Sequence, residues 1–336
     1  MMKLSNLLFM ISVMVGTLIS ISSNSWVSMW VGLEINLLSI IPLMDNKIKS
    51  SSESSIKYFV TQALASTIFL FSIIIMSKNL YNFYNLNSNL MIIMNMSLLT
   101  KMGAAPFHFW FPEIMEGLNW MTSLIMLTWQ KIAPMMILMS NISTMKFLFI
   151  IIILFLIIGG VMGLNQTSLR KILAYSSINH IGWMIAAFCM NFSIWLIYFL
   201  VYSLISCMLI ISFSKLMVFN LNQLFSQLKL NEMVKFSINI NFLSMGGLPP
   251  FIGFFPKWLT INSLIMNDLM ILSMIMVILT LMTLFYYTRI MIFSFLMNSD
   301  YLNFYFIKKS KNFLFFTFNL INLMSLLILI LVYIFF

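Results

Sequence analysis

Apolar runs long enough to cross a bilayer recur along almost the whole chain. About 20 consecutive apolar residues span the hydrocarbon core as a helix, and this spacing predicts about eleven spans. Hydrophobic residues make up 62% of the 336 residues and charged residues only 8%, so no large soluble domain fits between the runs. The sequence therefore predicts an all-α polytopic membrane protein.

The basic residues indicate how such a protein is oriented. The formal net charge is +10, but the lysines lie in short loops, which argues against nucleic acid as a partner. The loops on one side hold only Lys78 and Lys146. The loops on the opposite side, called the basic side below, hold Lys47, Lys49, Lys57, Arg170, Lys171, Lys229, Lys235, Lys308, Lys309 and Lys311, together with Lys3 at the N-terminus. The positive-inside rule then predicts an N-terminus on the matrix or cytoplasmic side, and an odd number of spans puts the C-terminus on the other side.

One stretch, from Lys101 to Glu113, combines a lysine with a helix interruption. It reads KMGAAPFHFWFPE, and Pro106 removes a backbone N–H and clashes with the preceding turn. Broken backbone at membrane depth is tolerated only inside protein or beside water. A charged amine at that depth costs about 3 kcal/mol and usually faces a cavity or a partner. The stretch indicates an ion path, although Lys101 could instead lie at a helix end and extend to the interface.

A second stretch repeats this pattern. Residues Gly247–Pro256 read GLPPFIGFFP, and alignment with Gly103–Pro112, GAAPFHFWFP, keeps Gly, Pro, Phe, Phe and Pro in matching places. Lys257 follows the second copy directly, whereas Lys101 precedes the break in the first copy. Paired interruptions in two halves of a membrane chain are typical of a transporter-like site built on a repeat.

Five ionisable residues lie away from the predicted span ends or beside the breaks. Burial disfavours the charged form of such a group and a nearby opposite charge favours it, so a group held between these effects can load and release a proton. We interpret the set as a proton relay, with a purely structural buried pair as the alternative for Glu34 and Lys131. His180 is equally compatible with a satisfied core histidine, and His108 more often only lines an interface. The five candidates are Glu34, Lys101, Lys131, His180 and Lys257.

Several other kinds of chemistry lack a motif in this sequence. Cys189 and Cys207 lie in apolar runs without partner cysteines, which predicts neither a disulfide framework nor an iron–sulfur or metal site. The glycine cluster Gly159–Gly163 follows no strand and is better interpreted as close helix packing than as nucleotide binding. We therefore expect any redox reaction to take place on partner chains.

Four motifs together closely resemble the subunit 2 family of mitochondrial NADH dehydrogenases, which are antiporter-like membrane subunits of respiratory complex I. The motifs are KMGAAPFHFWFPE, TWQKIAP, LRKILAYSSINHIGWM and GGLPPFIGFFPKW, and they extend from Lys101 to Trp258. The hydropathy pattern extends the resemblance over almost the whole chain. A composition with 33 methionines and 33 phenylalanines is also typical of AT-rich mitochondrial coding.

The resemblance implies a fold and a set of site residues. The family has two inverted five-helix repeats, each with one broken helix, followed by a final C-terminal helix. Here the first repeat would cover residues 1–140, the second 141–297, and the C-terminal loop and helix 298–336. The family's buried glutamate matches Glu34, and its three relay lysines match Lys101, Lys131 and Lys257. The central helix that carries a histidine in the second repeat matches the helix with His180.

The resemblance also implies a function. It is proton translocation coupled to NADH:ubiquinone electron transfer, with NADH, FMN, iron–sulfur clusters and ubiquinone on partner subunits and no cofactor on this chain. The expected partners are other membrane-arm subunits of complex I and phospholipids, in an obligate hetero-oligomer of the mitochondrial inner membrane with its N-terminus in the matrix and its C-terminus in the intermembrane space. Two alternatives are a stand-alone cation/proton antiporter and a passive structural subunit.

Overall fold

The structure, a computed structural model, describes residues 4–45, 49–78, 84–141, 144–228 and 232–296, together with positions 317, 319, 320 and 322. Within these ranges the named elements are fourteen α-helices and one 3-10 turn. They are α1 Leu4–Ser22, α2 Trp26–Met44, α3 Lys49–Lys78, α4 Tyr84–Met102, α5 Trp110–Gly117, α6 Trp120–Leu127, the 3-10 turn Trp129–Lys131, α7 Ile132–Met139, α8 Met145–Gly163, α9 Leu169–Met190, α10 Phe192–Leu216, α11 Leu221–Leu228, α12 Glu232–Gly246, α13 Phe254–Met266 and α14 Met270–Leu296.

Eight segments of this part of the chain are long and apolar enough to cross a membrane. They are α1, α2, α3, the pair α6–α7, α8, α9, α10 and α14. The predicted fourth and ninth spans contain the interruptions, and they correspond to α4–α5 and α12–α13. The prediction of an all-α polytopic membrane protein is confirmed. The predicted last span, from Phe313 onward, falls almost entirely outside the described residues, as do Lys3, Lys47, Lys229 and the lysines at 308, 309 and 311.

Helix α3 begins earlier than the sequence predicted. The sequence favours a solvated serine-rich connector before a span from Ile56 to Ser77, but Lys49 and Glu53 of that connector lie in the first turns of the helix. The serine hydroxyls of this segment donate to backbone carbonyls three residues earlier, as Ser54 does to Ser51 at 2.8 Å, so they do not compete with the helix for its own N–H groups. Lys57 also pairs with Glu53 at 3.1 Å, one helical turn away, and with Glu113 at 3.0 Å.

Helices α1 and α2 approach each other closely because glycines lie at their contact. A Cβ atom at Gly16 would come within 2.9 Å of the backbone nitrogen of Asn36, and one at Gly32 within 2.6 Å of that of Ser20. Small residues allow two membrane helices to bring their backbones together in this way. The contact fixes the part of α2 that carries Glu34.

The chain forms two compact units, Met1–Phe155 and Leu156–Phe336. In the second unit, α9 is the central element, because its apolar span is buried along its whole length and it packs against α10, α13 and α14. This helix buries polar side chains together with apolar ones, among them Ser176, Ser177, Asn179 and His180. The repeat boundaries at residues 140 and 297 stay predictions.

Candidate functional site

The two aligned stretches interrupt their helices at matching positions. Helix α4 ends at Met102 and α5 begins at Trp110, while α12 ends at Gly246 and α13 begins at Phe254. These four positions align in the register of GAAPFHFWFP with GLPPFIGFFP. A cis X–Pro peptide also occurs at the aligned prolines, Pro106 and Pro250.

A glycine in the left-handed region follows each broken helix. Gly103 has φ +72° and Gly247 has φ +76°, a conformation that costs an L-residue roughly 1–2 kcal/mol. Space is limited as well, since a Cβ atom at Gly103 would lie 2.8 Å from the Cβ of Phe111, and one at Gly247 2.7 Å from the Cδ of Lys257. The two glycines therefore set both the direction of the chain and the packing at each break.

Both lysines of the breaks are buried. Lys101 lies in the last turn of α4 with 8% of its surface exposed, and Lys257 lies in the first turn of α13 with 6% exposed. As the sequence indicated, one lysine precedes its break and the other follows it. Neither side chain extends along an exposed surface of its unit.

Each broken helix ends on carbonyl groups that buried side chains satisfy. In the first unit, the Gln62 side-chain amide donates to the carbonyl oxygen of Lys101 at 3.2 Å. In the second unit, the amine of Lys257 donates to the carbonyl oxygen of Gly246 at 2.8 Å. The last carbonyls of a helix have no partner within the helix and carry partial negative charge, so a cation is favourable there.

Glu34 lies within electrostatic range of Lys101. The carboxylate is half-buried on α2, and its Oε2 atom is buried without a hydrogen-bond partner among the described residues. These two side chains form no direct ion pair within 4.0 Å. The structure thus brings Glu34 and Lys101 into one region of the first unit without direct contact.

Lys131 lies in a third interruption, which the sequence analysis missed. We expected Lys131 near the middle of a continuous span from Met121 to Met139, but α6 ends at Leu127 and a 3-10 turn carries Lys131 to the start of α7. The physical reason is Pro134, which has no N–H to donate to the carbonyl four residues earlier and whose ring clashes with it. Lys131 has 2% of its surface exposed, and its amine lies 5.9 Å from the ring centroid of Phe111.

Polar side chains beside Lys131 form a network that the analysis of ionisable residues did not include. The Gln130 side-chain amide donates to the Asn36 side-chain oxygen at 2.8 Å, and the Tyr58 hydroxyl donates to the Gln130 side-chain oxygen at 3.5 Å. Asn36 lies two residues after Glu34 on α2. In the sequence, the signal that could have indicated this network was the presence of uncharged polar residues inside apolar runs.

His180 lies in the middle of α9 within an aromatic cluster. Its Nδ1 atom is 2.9 Å from the Tyr198 hydroxyl, and its ring centroid is 5.1 Å from that of Tyr202. One helical turn further along α9, the Trp183 ring lies 5.9 Å from the amine of Lys257. His180 and Trp183, whose ring faces the amine of Lys257 on α13, therefore lie one turn apart on a helix whose apolar span is fully buried.

His108 is also buried, in the segment between α4 and α5. Its Nδ1 atom is 3.2 Å from the carbonyl oxygen of Pro106, and its Nε2 atom has no hydrogen-bond partner in the described part of the chain. Among the described residues, no three His, Cys, Asp or Glu side chains lie close enough together to share a metal ion.

Comparison with known proteins assigns the chain to a family. Residues 23–283 match the family described as NADH:quinone oxidoreductase/Mrp antiporter, transmembrane. The chain belongs to this family. The matched region includes Glu34, Lys101, Lys131, His180 and Lys257.

Individual relatives agree with this assignment. The chain is 51% identical over 304 residues to the NADH-ubiquinone oxidoreductase chain 2 of Anopheles gambiae, covering 89% of this chain and 88% of the relative. It is 48% identical to the Aedes aegypti protein of the same name, covering 99% of both chains. A chain of respiratory complex I from Thermus thermophilus has the same fold, with a TM-score of 0.81 at 23% identity, covering 89% of this chain and 72% of that chain. The predicted family and fold class are confirmed.

Proposed function

We propose that this chain is a proton-translocating membrane subunit of respiratory complex I. It moves protons while partner subunits transfer electrons from NADH to ubiquinone and carry FMN and the iron–sulfur clusters. Family membership and the names of relatives with up to 51% identity support this proposal. The chain itself takes part in no redox step.

The observation that carries the proposal is the placement of buried lysines at interruptions of membrane helices. Lys101, Lys131 and Lys257 each lie beside a helix end, where backbone carbonyls and polar side chains can stabilise a charge that lipid cannot. A lysine that only extends to the interface keeps its amine in water, whereas these three side chains are buried inside their units. Three buried amines at three breaks are more than packing requires.

In the first unit, we infer that Glu34 controls the charge on Lys101. The two groups interact at a distance without direct contact, so a small movement of α2 can change the interaction. Lys101 then passes its proton toward Lys131, with Gln130 and Asn36 as polar neighbours. Moving one charge against about 150 mV costs roughly 3.5 kcal/mol, scaled from about 2.3 kcal/mol per 100 mV.

In the second unit, His180 and Lys257 supply the corresponding groups. The amine of Lys257 is held at the end of α12 by the Gly246 carbonyl, and His180 shares a hydrogen bond with Tyr198. Lys257 is the terminal proton store in this scheme. His180 passes protons to or from it.

We further propose a location and partners. The chain lies in the mitochondrial inner membrane with its N-terminus in the matrix and its C-terminus in the intermembrane space. Its partners are other membrane-arm subunits and phospholipids, in an obligate hetero-oligomer. The exposed apolar side chains on α1, α3 and α14 supply surface for such contacts.

The decisive experiment replaces Lys101 by methionine in the assembled complex. Lys101→Met keeps most of the side-chain volume and removes the charge. We expect NADH-driven proton uptake by sealed inner-membrane vesicles to fall strongly while the amount of assembled complex stays normal. Lys57→Met, at an exposed lysine, is the matched control and should keep normal pumping. Normal pumping by Lys101→Met would leave Lys101 as a packing residue, as in a passive structural subunit.

A further inference from the structure

The second unit contains a cavity of about 660 Å³ near the start of α9. Its wall includes the loop that follows α8, the loop before α11, and one face of α14. The lining is polar at this end, with Asn165, Gln166, Thr167 and Asn220. Arg170 and Lys171, in the first turn of α9, place the cavity on the basic side of the membrane.

Two buried tyrosine hydroxyls connect this cavity to the interior of the unit. Tyr286 lines the cavity, and the ring of Tyr287 lies 4.5 Å from it, centroid to centroid. The exposed fractions of the two residues are 3% and 2%, and among the described residues neither hydroxyl makes a hydrogen bond within 3.5 Å, although the two hydroxyls lie near each other. A buried hydroxyl without a well-formed hydrogen bond costs roughly 1–3 kcal/mol, so water from the adjoining cavity would stabilise these groups.

The next groups inward belong to α9 and α10. The hydroxyl of Tyr287 lies near that of Ser176, and the hydroxyl of Tyr202 lies near that of Ser177. Ser176 and Ser177 each donate to a backbone carbonyl at distances of 2.8 Å and 2.7 Å, to Leu173 and Ala174. Each serine oxygen therefore keeps lone pairs that can accept a proton from a tyrosine or from water.

The series ends at the candidate relay residues. The ring of Tyr202 lies 5.1 Å from that of His180, and one turn later Trp183 contacts the amine of Lys257. Hydroxyl groups thus follow α9 from its basic-side end to Lys257, all within the second unit. No carboxylate interrupts the series, and the described parts of α12, α13 and α14 carry an acid only at Glu232, at the first residue of α12.

We propose that this series is the route by which protons enter the second unit from the basic side. The cavity admits water, and the hydroxyls of Tyr286, Tyr287 and Tyr202, together with Ser176 and Ser177, relay protons to His180 and then to Lys257. Each hydroxyl accepts one proton and releases another, so no group of the series holds a net charge after a transfer. The proposal rests on the proposed function and adds a named entry path to it.

Gly163 supports this assignment because it makes room for the outermost tyrosine. A Cβ atom at Gly163 would lie 2.9 Å from the Cε1 atom of Tyr286. The close approach holds the Tyr286 ring at the wall of the cavity, where its hydroxyl can meet both water and Tyr287.

The first test removes the hydroxyls of Tyr286 and Tyr287. The double variant Tyr286→Phe, Tyr287→Phe keeps both rings and their packing. We expect loss of NADH-driven proton uptake in sealed vesicles, with a normal amount of assembled complex. Thr280→Val is the matched control, because it removes an exposed hydroxyl from the same helix. Wild-type pumping by the double variant would overturn the route.

The second test asks whether the cavity is reached from the basic side. Asn165→Cys introduces a thiol at an exposed position of the cavity wall. A membrane-impermeant thiol reagent is then added on one side of the vesicles or on the other. The chain without this substitution is the control for reaction at the native cysteines. We expect modification from the basic side alone to slow pumping. Modification without effect on pumping would count against the route.

Failure of this proposal can be told apart from failure of the proposed function. If Lys101→Met abolishes pumping but the tyrosine variant pumps normally, only the entry route is wrong. If Lys101→Met pumps normally, the relay function itself is wrong.

Discussion

The amine of Lys257 donates to the carbonyl oxygen of Gly246 at 2.8 Å, across the break between α12 and α13. The Lys257 side chain therefore donates to a carbonyl at the end of α12 and also places a charge inside the membrane. At the first break two residues have these roles. Gln62 donates to the carbonyl of Lys101, and the Lys101 amine remains available to interact with Glu34. We expect stability and proton transfer to be separable at the first break and coupled at the second.

Gly247→Ala should damage the second break. The residue has φ +76°, and its new Cβ would lie 2.7 Å from the Cδ and 2.8 Å from the Nζ of Lys257. The conformation alone costs roughly 1–2 kcal/mol, and displacement of Lys257 adds to this cost. We expect less assembled complex and faster thermal inactivation of NADH-driven pumping.

The neighbouring glycine provides the control for this prediction. A Cβ at Gly246 would have the Cδ2 atom of Tyr287 as its nearest neighbour, at 3.6 Å, which is ordinary contact, and the residue has helical geometry. Gly246→Ala should therefore be neutral or slightly stabilising. Equal damage by the two substitutions would show that the left-handed turn at Gly247 is not the critical feature.

The two principal breaks could be predicted from the sequence because their signals are local. A glycine with a proline two or three residues later disfavours a continuous helix, and the alignment of two such stretches fixed the positions that correspond to each other. The sequence also favoured burial of Lys101 and Lys257, because a charge beside broken backbone usually faces a cavity or a partner, but it left a helix end at the interface open for Lys101. These arguments need no knowledge of neighbouring helices.

The remaining features depend on contacts between distant residues. Gln62 and Lys101 are far apart in sequence, and a glutamine in an apolar run does not indicate which carbonyl it will satisfy. The turn at Lys131 was missed because a single proline inside an apolar run, here Pro134, is also compatible with a kinked but continuous membrane helix. Tyr286 and Tyr287 were passed over because tyrosines are common in membrane helices and only their burial makes them notable.

Gln62→Leu should destabilise the first break. The substitution is close to isosteric, but it leaves the carbonyl of Lys101 without its side-chain donor in a buried site. Loss of a partner from a buried acceptor costs about 1–3 kcal/mol. We expect a lower midpoint of thermal inactivation for the assembled complex. Thr67→Val, at an exposed position of the same helix, should leave the midpoint unchanged, and an equal shift in both variants would refute the role of Gln62.

Glu34→Gln should weaken proton pumping with little change in assembly. The carboxylate is half-buried and makes no ion pair within 4.0 Å with the Lys101 amine, so its replacement removes a charge without breaking a contact to that lysine. Without the negative charge, the charged form of Lys101 is less favoured. The measurement is the initial rate of NADH-driven proton uptake in sealed vesicles. Glu34→Asp keeps the charge and should be milder, whereas wild-type rates in both variants would remove Glu34 from the relay.

Lys257→Met should lower both pumping and stability, in contrast to Lys101→Met. The methionine fills a similar volume, but the carbonyl of Gly246 loses its donor, which costs about 1–3 kcal/mol in a buried site. The positive charge at the end of α12 is lost as well. We expect a lower midpoint of thermal inactivation together with reduced proton uptake per assembled complex.

Two further variants separate these effects at Lys257. Lys215→Met removes an exposed lysine from the same unit and should change neither quantity. Lys257→Gln keeps a side-chain donor while removing the charge, so it should recover part of the stability and none of the pumping. If Lys257→Gln pumped at the wild-type rate, the charge on this residue would have no part in proton transfer, and the Gly246 contact alone would explain why a polar side chain lies there.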